Sequence, residues 1–342
     1  MIGKLLLMLF LRNILSSVRK MMSASSTVTD TSTLSKVHVK RLQGIEGMPT
    51  KFNDVLFYPP NGKEDVQGRL VFFGGDVQDY PENMQVHRDN KHYLRWNLEN
   101  TAAFLHGQFP QWEVYIVKPC RMQLKTFSCY DNFVKGDNVG SPQYSFNTEG
   151  LLHLKLLLTN AIQAVYGGQG FCYKDNSIDS KGYSNTNIDQ SGCEMTSTNI
   201  TELPIILIGF SKGTVVLNQL LYSFYVLDKT LDNDIFSLVK QIKTMYWLDG
   251  GHSGGSNTWI TDKKILSNFV KLGIEAIIHV TPYQIKCAQR PWVGKEEKIF
   301  QETLKRLGAK ISRTVHFETE ERSLKNHFQV LEQFTTFSCN KM

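Results

Sequence analysis

A serine set between two glycines, Gly209-Phe210-Ser211-Lys212-Gly213, is the feature of this 342-residue sequence with the clearest chemical use. A hydroxyl is a weak nucleophile until a base takes its proton, and the G-x-S-x-G pattern presents a serine to such a base from a sharp strand-to-helix turn. The backbone at that turn is strained, and side chains at its flanks would collide with strand and helix, so Gly209 and Gly213 suit it. The apolar run Pro204–Ile208 precedes the turn as a strand, and the stretch Gly213–Leu227 follows as a helix. A helix beginning there offers free backbone N–H groups and partial positive charge to a developing oxyanion, with the Lys212 amide as first donor. The Lys212 side chain is expected to point toward solvent or substrate. A glycine-rich turn with a purely structural purpose is the competing reading; the strand before it and the helix after it favour the chemical one.

The serine needs a base and an acid, expected in the chain order Ser, acid, His. His327, in Ser323-Leu324-Lys325-Asn326-His327-Phe328, falls between the last strand and the last helix, where this order delivers a base. Its plainer alternative is an ordinary histidine at a helix start. His279, at a strand end, is a second choice, and His316, inside the last strand, suits a structural role. The acid usually follows the second strand beyond the nucleophile, here Ile274–Val280, but residues 281–295 contain no Asp or Glu. The strand before it ends in Tyr246-Trp247-Leu248-Asp249 and runs into Gly250-Gly251-His252, so Asp249 is the candidate acid, with a structural turn aspartate as the alternative. His252 is close in sequence to Asp249 and fits a pocket wall rather than the base. A second oxyanion donor should come from the loop after Arg69–Phe73, where Gly74 and Gly75 let backbone approach a substrate oxygen and Asp76 would line the pocket; a simple turn is an equal contender.

Short apolar strands alternating with amphipathic helices must hold these residues. Strands are expected near Lys36–Leu42 and over Phe52–Tyr58, Arg69–Phe73, Trp112–Lys118, Pro204–Ile208, Ile242–Leu248, Ile274–Val280 and Ile311–Phe317. Helices are expected over Lys91–His106, Glu149–Tyr166, Gly213–Leu227, Thr261–Lys271, Lys295–Leu307 and Leu324–Phe334. Residues 120–147 carry mixed loop signals. The alternation predicts an α/β fold of α/β-hydrolase-like type, with a mostly parallel central sheet and helices on both faces. One such domain would span 30–342, interrupted at about 167–202 by a polar stretch too poor in apolar residues to offset its ordering entropy, expected to be disordered.

Composition narrows the rest. The hydrophobic fraction of 41% is enough for a sizeable core. The net charge of +6 owes much to Lys4, Arg12, Arg19 and Lys20, so the remainder gives no sign of nucleic-acid binding. Six scattered cysteines form no C-x-x-C pair; free thiols are expected, with Cys172 and Cys193 the pair to form if the compartment is oxidising. Residues 1–29 are acid-free, contain arginine and serine, and have an apolar core of only seven residues, Leu5–Leu11, before Arg12. They fit a mitochondrial presequence better than a secretory signal and are too short in apolar length for the about 20 residues of a membrane span. Secretion is the alternative address, with the triplet Asn199-Ile200-Thr201 as a weak pointer to it.

The elbow with its helix Val215–Leu220, the loop Trp247-Leu248-Asp249-Gly250-Gly251-His252-Ser253-Gly254-Gly255, and Phe72-Phe73-Gly74-Gly75-Asp76 together resemble the chromosome 2 open reading frame 69 family over nearly all of the chain after the presequence. That resemblance implies a mitochondrial matrix location, an α/β-hydrolase-like fold and a contribution to respiratory-chain function, and it supplies no substrate. The residues lead to an esterase, thioesterase or lipase-type hydrolase with a small-molecule or lipid acyl substrate, in which Ser211 attacks, His327 is the base and Asp249 orients it. No metal or organic cofactor is called for. A catalytically silent member of the fold, acting as a binding or assembly factor, is the competing reading.

Overall fold

Alternate side chains of the strand Gly68–Phe73 enter two different apolar cores, Val71 and Phe73 on one face and Leu70 and Phe72 on the other. The same alternation places Leu207 and Trp247 in the first core and Ile208, Phe210 and Leu248 in the second. Strands buried on both faces read as unbroken apolar runs, which is why these segments stand out in the sequence. The structure, a computed structural model, describes residues 39–62, 66–167, 203–227 and 233–335.

Among the described residues, eight strands form the main sheet: β1 (Lys40–Glu46), β2 (Phe52–Tyr58), β3 (Gly68–Phe73), β4 (Trp112–Val117), β5 (Ile205–Phe210), β6 (Ile242–Leu248), β7 (Glu275–Val280) and β8 (Ile311–Val315). Their order is β1-β2-β4-β3-β5-β6-β7-β8. β2 runs antiparallel to β1 and β4, and every other pair is parallel. This is the α/β-hydrolase-like sheet that the alternation predicted. The chain leaves β3 toward β4 on one side and returns to β5 on the other, so the loops after β3 and β5 part at a topological switch point. Open α/β sheets bind ligands in the crevice at such a point.

The helices are α1 (Pro81–Val86), α2 (Leu98–Gln108), α3 (Glu149–Tyr166), α4 (Thr214–Leu227), α5 (Asn233–Gln241), α6 (Lys263–Lys271), α7 (Pro282–Ile285), α8 (Pro291–Arg306) and α9 (Leu324–Gln333). Leu154, Leu217, Phe269 and Phe300 bring α3, α4, α6 and α8 onto the first face; Leu98, Ala102, Phe328 and Leu331 bring α2 and α9 onto the second. No helix among the described residues is long and apolar enough to cross a membrane.

Several elements differ from expectation. The helix predicted over Lys91–His106 is two pieces, a 3-10 turn Asn90–Trp96 and α2, because Asn97 takes extended backbone and its side chain caps α2 by accepting from the Asn100 amide. α8 starts at Pro291, where proline's fixed φ suits a first helical position, rather than at Lys295. α5 was not expected, although Ile235, Leu238 and Val239 carry its helical spacing into the core. The stretch 120–147 holds two small hairpins, Arg121–Gln123 with Phe127–Cys129 and Lys135–Gly136 with Pro142–Gln143. Cys120, Cys129 and Cys287 are free thiols. The expected presequence over residues 1–29, the polar stretch over 168–202, the triplet at Asn199, and Cys172, Cys193 and Cys339 lie outside the described residues.

Candidate active site

Ser211 directly follows β5 with φ at +51°, a left-handed conformation that costs a non-glycine residue about 1–2 kcal/mol. A Cβ at Gly209 would lie 2.8 Å from Thr214 Cα, and one at Gly213 would drive into the Phe73 carbonyl, so only glycine lets the chain fold back this tightly. The elbow is tied down from two sides: Thr214 Oγ1 donates to the Ser211 carbonyl (2.7 Å), and so does the Gly251 amide (3.2 Å). Strain recurs around the same cleft. Asp249 has φ +44° and Val77, a β-branched residue, φ +76°. Such outliers persist only where the surrounding contacts hold them, and they concentrate at functional sites.

Asp249 emerges from the end of β6 fully buried. Its Oδ1 accepts the Thr281 amide (2.7 Å); its Oδ2 accepts Thr281 Oγ1 (2.6 Å) and faces His327 Nδ1 at 2.6 Å. Thr281 follows β7, the place where the sequence lacks an acid, so a threonine there holds in place an aspartate delivered by the neighbouring strand. His327 lies in the first turn of α9. Ser323 caps that helix by accepting the Asn326 amide (3.0 Å). The imidazole is flanked by Phe210 (4.6 Å between ring centroids) and Tyr283 (4.9 Å). With Nδ1 committed to Asp249, Nε2 is the nitrogen left for a proton from Ser211. Both residues line one cleft. Among the described residues, no hydrogen bond joins the Ser211 hydroxyl to His327.

The loop after β3 approaches the serine closely: a Cβ at Gly75 would stand 2.7 Å from Ser211 Cβ. Its amide, however, donates to Gln78 Oε1 (2.9 Å), and Gln78 is fixed in turn by donating to the Trp96 carbonyl and Thr101 Oγ1. Gly74 packs toward Gln78 and Leu98, and its carbonyl accepts the Tyr130 hydroxyl (2.9 Å). Of the three proposed oxyanion donors, Gly75 is thus beside the serine with its N–H already engaged, whereas a Cβ at Gly74 would meet Gln78 and Leu98. Asp76 and His252 both line the cleft. His252 is tied to its own loop: the Gly254 amide donates to Nδ1 (3.0 Å), and Nε2 donates to the Asn257 carbonyl (3.2 Å).

Lys212 requires a correction. Its side chain does not reach solvent or substrate; it is 0% exposed. Nζ lies 3.1 Å from Asp76 Oδ1 and donates to the Val139 carbonyl (2.7 Å), over the Phe127 ring. Burial pushes the Asp76 carboxyl above its ordinary value, opposed by Lys212 and by the Ser128 amide. The ion pair therefore fastens the loop after β3 to the elbow. Lys212→Met is expected to destabilise the fold by about 3 kcal/mol, the low end for breaking a buried pair because Asp76 keeps some exposure. Denaturant unfolding would measure it, and adding Asp76→Asn should recover part of the loss.

His279 and His316 form a buried pair, Nδ1 to Nε2 at 2.8 Å. Burial pushes His279 down to about 3, helped by His316, and His316, His252 and His153 down to about 4. All four are neutral when folded but take up protons near pH 6.5 when unfolded. Their contribution is therefore fully present above about pH 6.5 and is lost as pH falls from there toward 4, by at most about 1.4 kcal/mol per imidazole per pH unit. A melting midpoint dropping steeply between pH 7 and pH 5 is the expected result; a flat profile would contradict neutral burial.

A family model described as C2orf69 matches residues 41–175 and 166–310, which contain the elbow, the Asp249 loop and Gly74–Asp76. The chain belongs to the C2orf69 family. The mitochondrial protein C2orf69 homolog of Mus musculus is 38% identical over 307 residues, 84% of each chain. The mitochondrial protein C2orf69 of Homo sapiens is 39% identical over 288 residues, 78% of this chain and 74% of its own. Among solved structures, an esterase from Rhizomucor miehei superposes with a TM-score of 0.45 at 11% identity, over 95% of this chain and 86% of its own. In this C2orf69-family chain, Thr281, Gln78, Tyr283 and Arg290 are site residues that sequence reasoning missed. Thr281 had a signal, its place directly after β7; the other three are ordinary loop and helix positions until the chain folds.

Proposed function

We propose that this C2orf69-family protein is a mitochondrial serine hydrolase cleaving ester or thioester bonds. The observation that carries the reading is the Asp249–His327 pair, 2.6 Å apart, whose imidazole lines the same cleft as a serine on a strained elbow. Ser211 Oγ attacks the acyl carbon as His327 Nε2 takes its proton, and Asp249 stabilises the imidazolium. His327 then gives that proton to the leaving alkoxide or thiolate, and an acyl-serine remains. Water, deprotonated by the same nitrogen, releases the acid and restores Ser211. The Lys212 amide at the start of the elbow helix is the first oxyanion donor. The mitochondrial location follows the names of the relatives, and the acid-free residues 1–29 extend it to the matrix, with the respiratory-chain contribution that the family resemblance implies.

A second reading, binding without turnover, is favoured by two contacts: the Gly75 amide is held by Gln78, and the Ser211 hydroxyl makes no bond to His327 among the described residues. Catalytic hydrogen bonds are often long without substrate and tighten in the complex, so the first reading keeps precedence. A fluorophosphonate probe separates the two. Labelling of the folded protein that disappears in Ser211→Ala supports the hydrolase; no labelling of folded protein favours the binding role.

A further inference from the structure

Asp76 uses only one of its two carboxylate oxygens inside the protein. Oδ1 accepts the Ser128 amide (2.8 Å) and lies 3.1 Å from Lys212 Nζ; Asp76 accepts no other side-chain hydrogen bond among the described residues. The side chain keeps 20% exposure and lines the cleft, which leaves Oδ2 open there. Among the described residues of the cleft wall, Asp76 is the one carboxylate. Paired with Lys212 it is ionised, and an ionised carboxylate accepts hydrogen bonds without donating any. Its position is fixed as well. Ser128 Oγ donates to the Gly75 carbonyl (2.6 Å) and the Val77 amide to the Thr126 carbonyl (2.7 Å), pinning 75–77 to the hairpin of Arg121–Gln123 with Phe127–Cys129. The same loop stands against the nucleophile, since a Cβ at Gly75 would come within 2.7 Å of Ser211 Cβ. A group a few bonds from an acyl carbon on Ser211 therefore comes within reach of Asp76. An acceptor held in place beforehand selects for a donor with little further ordering cost. His252, by contrast, spends both ring nitrogens within its own loop.

We propose that the cleft takes an acyl ester or thioester whose acyl chain carries a neutral hydrogen-bond donor, N–H or O–H, which Asp76 Oδ2 accepts while Val77, Leu324 and Phe328 hold the apolar part. A neutral donor fits because Lys212 already matches the carboxylate's charge. The proposal rests on the hydrolase reading for its reaction but not for its binding.

The test uses two pairs of p-nitrophenyl esters on the full chain, each pair differing only in the donor. N-acetylglycinate is set against 4-oxopentanoate, where CH₂ replaces N–H, and 3-hydroxybutanoate against 3-methylbutanoate, where CH₃ replaces O–H. With each rate divided by that of the ester in alkali, the wild type should favour at least one donor ester in kcat/KM, and the two pairs tell N–H from O–H. In Asp76→Asn the Ser128 amide, which can only donate, draws the asparagine oxygen to the Oδ1 position and leaves the NH₂ group at the Oδ2 position. An N–H of the substrate then meets another N–H, and the N-acetylglycinate preference should fall by about ten- to a hundredfold. The hydroxyl preference should fall less, because a hydroxyl can turn to accept. Damage to the fold alone would slow both esters of a pair and leave their ratio unchanged. Equal use of donor and donor-free esters by the wild type, or ratios unmoved by Asp76→Asn, overturns the proposal. If Asp76→Asn does not fold, Asp76→Asn with Lys212→Met, which removes both charges, decides by the same ratios. If no ester is hydrolysed, calorimetric titration of methyl N-acetylglycinate and methyl 4-oxopentanoate into Ser211→Ala, with and without Asp76→Asn, decides instead. Donor-selective binding that depends on Asp76 would then keep the subsite and sink the hydrolase; equal binding, or none, would sink the subsite.

Discussion

Ser211→Ala and His327→Ala are each expected to lower ester turnover by about 10⁴- to 10⁶-fold, and the double substitution by no more than the larger single loss. The reason is the division of labour in the cleft. In the proposed reaction the hydroxyl forms the new bond and the imidazole carries the proton, so removing either leaves the other with nothing to do. A residue that only lined a binding pocket would behave differently, with effects that add and fall on KM. Both side chains are nearly buried, Ser211 at 9% and His327 at 3% exposure, so folding must be followed alongside. Ser211→Ala removes one oxygen that has no hydrogen-bond partner among the described residues, and it should melt close to the wild type. His327→Ala opens space between Phe210 and Tyr283 and should melt lower. Turnover retained in Ser211→Ala would mean that the chemistry lies elsewhere.

Asp249→Asn should cost about 10⁴-fold in kcat with the fold intact. The contacts around the carboxylate dictate why. The Thr281 amide can only donate, so the asparagine oxygen must take the Oδ1 position. Its NH₂ group then occupies the Oδ2 position, where it donates both to Thr281 Oγ1, whose hydroxyl can turn to accept, and to His327 Nδ1. Accepting at Nδ1 puts the imidazole proton on Nε2, the nitrogen that has to receive the Ser211 proton. The site keeps its shape and loses its base. Steady-state rates with a melting curve would test this, and an Asp249→Asn enzyme working at the wild-type rate would show that His327 does not act through Asp249. Thr281→Val, which removes one donor and leaves the tautomer correct, should have a far smaller effect on rate.

The predicted strands coincide with β2 through β8 to within a residue or two at most ends, most plainly where a strand is buried along its whole length, as β3 and β5 are. The break at Asn97 was harder to see, since a capping asparagine inside an otherwise helical pattern resembles any polar surface residue. Among the site residues, Lys212 misled for a physical reason. A lysine next to a nucleophile is expected in water, and its burial depends on Asp76 and the Val139 carbonyl, which come from segments 136 and 73 positions away.

By itself the sequence determined the local chemistry and local geometry: glycines where the elbow would clash, apolar alternation for each strand, a serine at the head of a helix, and an aspartate and a histidine in workable order. Those are short-range properties, written in neighbouring residues. Tertiary structure alone decided what holds the candidate acid Asp249 beside His327, the donors of Thr281, and it took the Gly75 amide for Gln78 and the Lys212 ammonium for Asp76. Each of those outcomes is a competition among buried donors and acceptors for partners brought from distant segments, and it exists only once the sheet order sets the loops after β3, β5, β6 and β7 around a common cleft.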